Sequence, residues 1–346
     1  AEGPAPEVLA QLRNWGAHAS MPEVKAFYSQ RLAQQDRSGL ELLADQPYGP
    51  HPRQRMDVYF PKASGHNRPV LLFLHGGGFI RGDKADRANV GWWGARQGFV
   101  TVLANYRLAP EVQWPSGAED VVAACQRVQA LCSSFGADPR ALVLAGESAG
   151  AAHVAAASLI RSFQPQSWNI AGAFLLSGPY DAQLERMARG TLGIPTPDPR
   201  NDAYFGTERP DWAAASIVEC VDAAPFPMVV GMAERDLPQM QVQAGALFSR
   251  LVTRHGFQPD WLVLPEHNHF SAAAALGTED QSLAKPLAEF VTSCAARSAP
   301  TRAPCFALPS LPGPTKPAYR KRCKPTAWKA TPYRSRGVST PPRGLT

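Results

Sequence analysis

The sequence predicts an α/β fold in which a mostly parallel sheet is covered by helices on both faces. Three observations carry that expectation. Short runs such as Val70-Leu-Leu-Phe-Leu74, Phe99-Val-Thr-Val-Leu-Ala104 and Ala141-Leu-Val-Leu-Ala145 are almost continuously apolar, as strands buried on both faces are. Segments with helical spacing separate them. The two kinds of element alternate along the chain, the order that produces parallel strands joined by crossover helices.

Residues 5–37 read as one or two helices, with Val8, Leu9 and Leu12 on one apolar face and Val24, Phe27 and Tyr28 on another. They precede every strand, so they are expected either to cap a site or to pack on the sheet edge. Gln54–Phe60 alternates and stops at Pro61, an outer strand. Strand 70–74 follows, then a helix over 85–96, strand 99–104 and a helix over 118–135. Glu119 and Asp120 in that helix's first turn favour its positive end. Strand 141–145, helix 151–162, strand 170–176, strand 227–231, helix 239–255, strand 261–264 and helix 283–296 complete the series. Residues 181–224 break the rhythm. They are rich in Pro, Gly, Asp and aromatics, among them Tyr204, Phe205 and Trp212. This excursion is expected over the C-terminal edge of the sheet, where open α/β sheets bind ligands.

The division is then a helical cap region over 1–40, a catalytic domain over 41–296 and a tail over 297–346. The formal net charge is +6, but the tail alone holds 11 Lys/Arg and no Asp/Glu. Without it, 24 basic residues face 29 acidic ones, so the body offers no nucleic-acid surface. The tail also holds 10 of the 33 prolines and has no apolar periodicity, a composition expected to be disordered. No apolar run approaches the ~20 residues needed to span a bilayer. Six cysteines occur without a zinc spacing, and Cys125 and Cys132 share one helix face as small core residues. The chain begins at Ala1 with neither Met nor a signal-like segment. A removed leader stays open, and the cytoplasm is the default expectation for that reason alone.

The chemistry is expected around Gly146-Glu-Ser-Ala-Gly150. The pentapeptide joins a strand to a helix, a context that strains the serine backbone and holds its hydroxyl out above the sheet. Ser148 is the nucleophile candidate. Strand 70–74 ends in His75-Gly-Gly-Gly-Phe79. Acyl transfer builds charge on the former carbonyl oxygen, and glycines let backbone N–H groups approach it. The expected donors are Gly77, Gly78 and Ala149, with His75 anchoring the loop. Serine needs a base. Beyond the helix that follows Ser148 lie His255, His267 and His269. His255 ends a helix and reads as surface. His269 is preferred over His267, because Phe270 and Ser271 begin the next element and would hold it. The acid should follow the preceding strand. Asp236 is the first choice, Glu234 the second and Asp181 the outside candidate; Asp236 as a mere helix cap is the alternative.

These motifs, with Asn105-Tyr-Arg-Leu-Ala-Pro-Glu111 between them, make the chain resemble the α/β-hydrolase superfamily from about Tyr48 to Phe290. The likeness is to hormone-sensitive-lipase-like (family IV) carboxylesterases and to kynurenine-formamidase-like esterases. Met56-Asp-Val-Tyr-Phe-Pro61, Ser177-Gly-Pro-Tyr-Asp181 and Asn268-His-Phe270 look more like the formamidase branch. Phe79 departs from the Trp common there, and Ala151 from the third Gly common among the lipase-like esterases. The resemblance implies an α/β-hydrolase fold and a Tyr106–Pro110 segment that stabilises the loops beneath the site. It also implies a Ser148–His269–Asp236 triad that cleaves carboxylic esters through an acyl-enzyme, with no metal or organic cofactor. The partner expected is a small ester substrate; a homodimer through an exposed sheet edge or the last helix is left open. The rival activity is an arylformamidase with the same triad. A non-catalytic receptor on this scaffold is the reading from another class, and the presence of His269 speaks against it.

Overall fold

The computed structural model describes residues 3–193, 198–222 and 226–298; the expectation for the basic tail lies outside them. The elements in chain order are α1 (Pro6–Trp15), α2 (Met21–Leu32), β1 (Leu40–Pro47), β2 (Arg55–Pro61), β3 (Arg68–Leu74), α3 (Ala88–Arg96), β4 (Val100–Ala104) and α4 (Ser116–Leu131). They continue with β5 (Ala137–Glu147), α5 (Ala149–Leu159), β6 (Gly172–Leu176), α6 (Ala182–Thr191), α7 (Pro199–Phe205), α8 (Arg209–Ala215) and α9 (Ile217–Cys220). The chain then forms β7 (Met228–Arg235), α10 (Pro238–His255), β8 (Asp260–Asn268), α11 (Ser271–Ala274) and α12 (Ala284–Ser298).

One eight-stranded sheet has the order β1-β2-β4-β3-β5-β6-β7-β8. The β1–β2 and β2–β4 pairs are antiparallel and the rest parallel. The apolar runs work as expected. In β3, Val70, Leu72 and Leu74 enter one core while Leu71 and Phe73 enter the other. In β5, Leu142 and Leu144 part from Val143 and Ala145 in the same way. Period-two alternation between two apolar faces requires helices on both sides. α4, α5 and α10 cover one core, and α3, α11 and α12 the other. Every residue of α5 is buried, which its Ala-rich sequence permits by letting the helix axis come close to the strands. Cys125 and Cys132 are both buried.

Three differences from the sequence reading follow from tertiary context. β1 is an added edge strand whose Leu42 and Leu43 are both exposed, so it shows no apolar alternation. β8 continues past Leu264 to Asn268 because a register shift lets Asn268 pair with Arg235 of β7. The helix expected over 85–96 opens instead with a 3-10 turn, Lys84–Arg87, capped by Asp83. The excursion is helical, comprising α6 to α9. Of the N-terminal segment, Val8, Leu12, Val24 and Tyr28 pack with Ala274 and Ala275 after β8, and Ser20, Met21, Pro22 and Lys25 of α2 and its cap line a cavity. No described helix is long and apolar enough to cross a membrane.

Candidate active site

Ser148 sits between β5 and α5 with φ 51° and ψ −124°, a conformation that non-glycine residues rarely adopt. The glycines around it are sterically required. A Cβ on Gly146 would lie 2.5 Å from the Gly150 carbonyl carbon, and one on Gly150 only 2.3 Å from the Leu74 carbonyl oxygen. The elbow is thus pressed against both the following helix and the end of β3. The Ser148 N–H donates to the Leu176 carbonyl at 2.9 Å, which ties the elbow to β6.

Strand pairing supplies the rest. Because Arg235 and Asn268 are register partners, Asp236 and His269 emerge side by side. His269 Nδ1 is 2.7 Å from Asp236 Oδ1, and His269 Nε2 is 3.0 Å from Ser148 Oγ. Both carboxylate oxygens of Asp236 are used. Oδ2 accepts from the Ser177 hydroxyl and, at 3.2 Å, from the Ala233 N–H; Oδ1 also accepts from the Leu237 N–H at 2.8 Å. Burial disfavours the charged carboxylate, yet His269 and these donors outweigh it and hold its pKa below the ordinary value. Burial likewise opposes an imidazolium at His269, but the charge and hydrogen bond of Asp236 win and raise its pKa. Glu147 and Glu185 push in the same direction.

The other candidates are occupied elsewhere. Asp181 Oδ1 accepts from the N–H groups of Gln183 and Leu184 and from the Ser216 hydroxyl, so it caps α6. Glu234 accepts from the Glu266 N–H at 2.6 Å. His255 ends α10, half-buried. His267 is fully buried, with Nδ1 2.9 Å from Ser271 Oγ and Nε2 3.1 Å from Asp280, and shapes the loop that carries His269.

The glycine loop after β3 faces the same hydroxyl. A Cβ on Gly76 would stand 3.1 Å from the Ser148 Cβ. Gly77 has φ 146° and Gly78 φ 58°, and a Cβ on Gly77 would lie 1.9 Å from the Arg81 carbonyl. Among the described residues, the Gly77 and Gly78 N–H groups make no hydrogen bond within the chain. Ala149 opens α5, so its N–H is one of the orphan donors of a helix start. His75 Nδ1 donates to the Gly76 carbonyl at 2.7 Å, its ring stacks on Tyr106, and the Tyr106 hydroxyl donates to the His75 carbonyl at 3.0 Å. Burial pushes the His75 pKa down, which suits an anchor better than a proton carrier. The Tyr106–Pro110 segment does brace this loop, since the Ala109 N–H also donates to the Phe79 carbonyl at 3.0 Å.

All six expected residues except Asp236 are on or beside a cavity of about 540 Å³ whose lining includes His75–Phe79, Ser148, Ala149 and His269; Asp236 stands behind His269. Another cavity, of about 630 Å³, lies beside the starts of β7 and β8 among Met228, Trp261 and Phe290 and contains none of them. The sequence reading missed two supports. Ser177, the hydroxyl on Asp236, lay within a quoted motif but had no partner visible in one dimension. The buried pair Arg87–Glu147, with contacts of 2.5 and 3.1 Å, flanks Ser148, and Glu147 accepts from the Gly76 N–H at 3.3 Å. Among the described residues, no group of three or more His, Cys, Asp or Glu is arranged to hold a metal ion.

A model of the α/β hydrolase fold family matches residues 71–270, more than half of the chain. The chain belongs to that family, in its hormone-sensitive-lipase-like branch. Among curated relatives, it is 33% identical over 148 residues to an isoprenylcysteine alpha-carbonyl methylesterase of Arabidopsis thaliana, covering 39% of this chain and 33% of that one. It therefore spans about a third of the plant methylesterases it matches. A kynurenine formamidase of Danio rerio is 27% identical over 265 residues, covering 74% of this chain and 84% of the relative. Among solved structures, esterase B from Lactobacillus rhamnosis superimposes with a TM-score of 0.65 at 16% identity, covering 84% of this chain and 96% of that one, a likeness of fold.

Proposed function

We propose that the chain is a serine hydrolase that cleaves carboxylic esters through the Ser148–His269–Asp236 triad. The observation that carries this is the continuous chain from Ser148 Oγ to His269 Nε2 and from His269 Nδ1 to Asp236, at 3.0 and 2.7 Å, opening on a cavity that the glycine loop also lines. His269 takes the hydroxyl proton as Ser148 attacks the ester carbonyl. Asp236 keeps the remaining ring proton on Nδ1 and stabilises the imidazolium. Gly77, Gly78 and Ala149 donate to the oxyanion. The intermediate collapses as His269 protonates the leaving alcohol. A water activated by the same imidazole then releases the acid and frees Ser148. Named esterases among its relatives, including a carboxylesterase of Mycobacterium tuberculosis at 38% identity over 98 residues, support the ester reading.

A second activity, hydrolysis of N-formylkynurenine by the same triad, is favoured by the long formamidase match, which spans most of both chains. Hydrolysis of short-chain aryl esters by the wild type and Ser148→Ala tests the first reading. The substitution should remove at least about three orders of magnitude of kcat, and retained activity would refute the assignment. Comparing N-formylkynurenine with a series of acyl lengths decides between the two substrates.

A further inference from the structure

Four cations line the cavity: Lys25, Arg81, Arg87 and Arg200. Two are held by acids as part of the walls. Lys25 Nζ is 2.7 Å from Asp86, and Arg87 is paired with Glu147. Arg200 differs. It lies in the first turn of α7, on the excursion, and Asp198 grips one edge of its guanidinium: Nε donates to Oδ1 at 2.9 Å and Nη2 to Oδ2 at 2.6 Å. Asp198 is buried, whereas the Arg200 side chain keeps 41% exposure. Nη1 makes no hydrogen bond to a described residue.

A guanidinium has two edges that can each take a carboxylate bidentately. Asp198 takes the Nε/Nη2 edge and so fixes the plane. The Nη1/Nη2 edge is left to an incoming group. Its location is set by Gly78. A Cβ there would fall 3.0 Å from Arg200 Cδ and 3.5 Å from Nη1, so the guanidinium stem lies directly against the oxyanion loop. The charge of Arg200 is balanced by Asp198, with Glu185 of the same cavity acting in the same sense; Arg81 also lines the cavity and forms no ion pair with a described acidic residue. The cavity therefore offers an oriented bidentate donor beside the glycine loop, with Arg81 as a further cation on its wall.

We propose that Arg200, oriented by Asp198 and backed by Arg81, binds a carboxylate of the substrate, so that the site acts on esters or amides carrying an anionic carboxylate near the scissile carbonyl. This rests on the hydrolase reading above. Arg200 is then a specificity-determining residue, and the excursion supplies selectivity while the sheet supplies chemistry. Neutral esters lack the group and leave the guanidinium to water.

The experiment compares matched substrates on the full chain. Monomethyl succinate is set against methyl butyrate for an anion on the acyl side, and 4-acetoxybenzoate against phenyl acetate for one on the leaving group. The wild type should favour at least one anionic ester by about tenfold or more in kcat/KM. Arg200→Met, which keeps the aliphatic stem on Gly78, should abolish that preference through KM and leave the neutral esters within about threefold. Arg200→Gln serves as a second variant should the first fail to fold, and Arg81→Ala should reduce the preference in part. Absence of preference for either anionic ester, or its survival without the Arg200 guanidinium, overturns the carboxylate site while the hydrolase reading stands. If the wild type turns over none of these esters and no formamide, both readings fall together.

Discussion

Asp236→Asn replaces two oxygens by one oxygen and one NH2 where four donors converge. The carboxylate accepts from Ser177 and Ala233 on Oδ2, and from Leu237 and His269 on Oδ1. Either orientation of the amide turns its NH2 toward donors. With the NH2 in the place of Oδ2, it opposes the Ala233 N–H, while the Ser177 hydroxyl can turn to accept from it; an unmatched buried group costs about 1–3 kcal/mol. With the NH2 in the place of Oδ1, only the Leu237 N–H is opposed, and the amide can donate to His269 Nδ1 instead of accepting from it. The second orientation, in which the amide donates to His269, puts the imidazole proton on Nε2, facing Ser148. An Nε2–H imidazole cannot take the serine proton. The expected loss is about four orders of magnitude in kcat/KM, or ~5 kcal/mol of transition-state stabilisation, with unfolding free energy reduced by about 1–3 kcal/mol. Ester hydrolysis over a pH series, alongside urea unfolding, measures both. A variant that keeps more than about a tenth of wild-type kcat/KM would show that Asp236 does not set the tautomer, and the triad assignment would fail with it.

Two further outcomes follow. His269 must be neutral to act as base and its pKa is raised, so kcat/KM should fall with decreasing pH through a value above the ordinary ~6.5; a limb at or below that value counts against the Asp236 pairing. His153 works in the opposite sense: burial, with help from His75, pushes its pKa down to about 3. Its folded value lies below its unfolded one, so the stability it contributes is whole above ~6.5 and declines as pH falls toward about 3. His153→Phe should flatten the loss of Tm between about pH 6.5 and 4, and an unchanged slope would refute this. Gly150→Ala should destabilise the fold by about 2–3 kcal/mol, because its Cβ would stand 2.3 Å from a β3 carbonyl. A urea midpoint equal to wild type would show that the elbow relaxes freely.

Much of this architecture was legible along the chain. Runs such as Val70–Leu74 and Ala141–Ala145 determine buried parallel strands, because no other element accommodates apolar side chains at every successive position between two helical layers. The glycines of the elbow and of the loop after β3 announce close backbone approach, since only glycine tolerates Cβ positions already filled by carbonyl groups. The order of serine, acid and histidine, each after its own strand, located the candidates. Tertiary structure decided what depends on strand register and on cross-chain contacts. Asp236 already ranked ahead of Glu234 and Asp181 in the sequence; the pairing of Arg235 with Asn268, a bulge with no mark in local composition, is what brings it beside His269. β1 could not be read because its edge position leaves Leu42 and Leu43 exposed, which removes the alternation that betrays a strand. Ser177 beside Asp236, Glu147 on Arg87 and Arg200 against Gly78 join residues 59, 60 and 122 positions apart. Side chains that distant are free of one another in the extended chain. Only the packing of α6 to α9 over the sheet brings the last pair together, and with it the surface proposed to select a substrate.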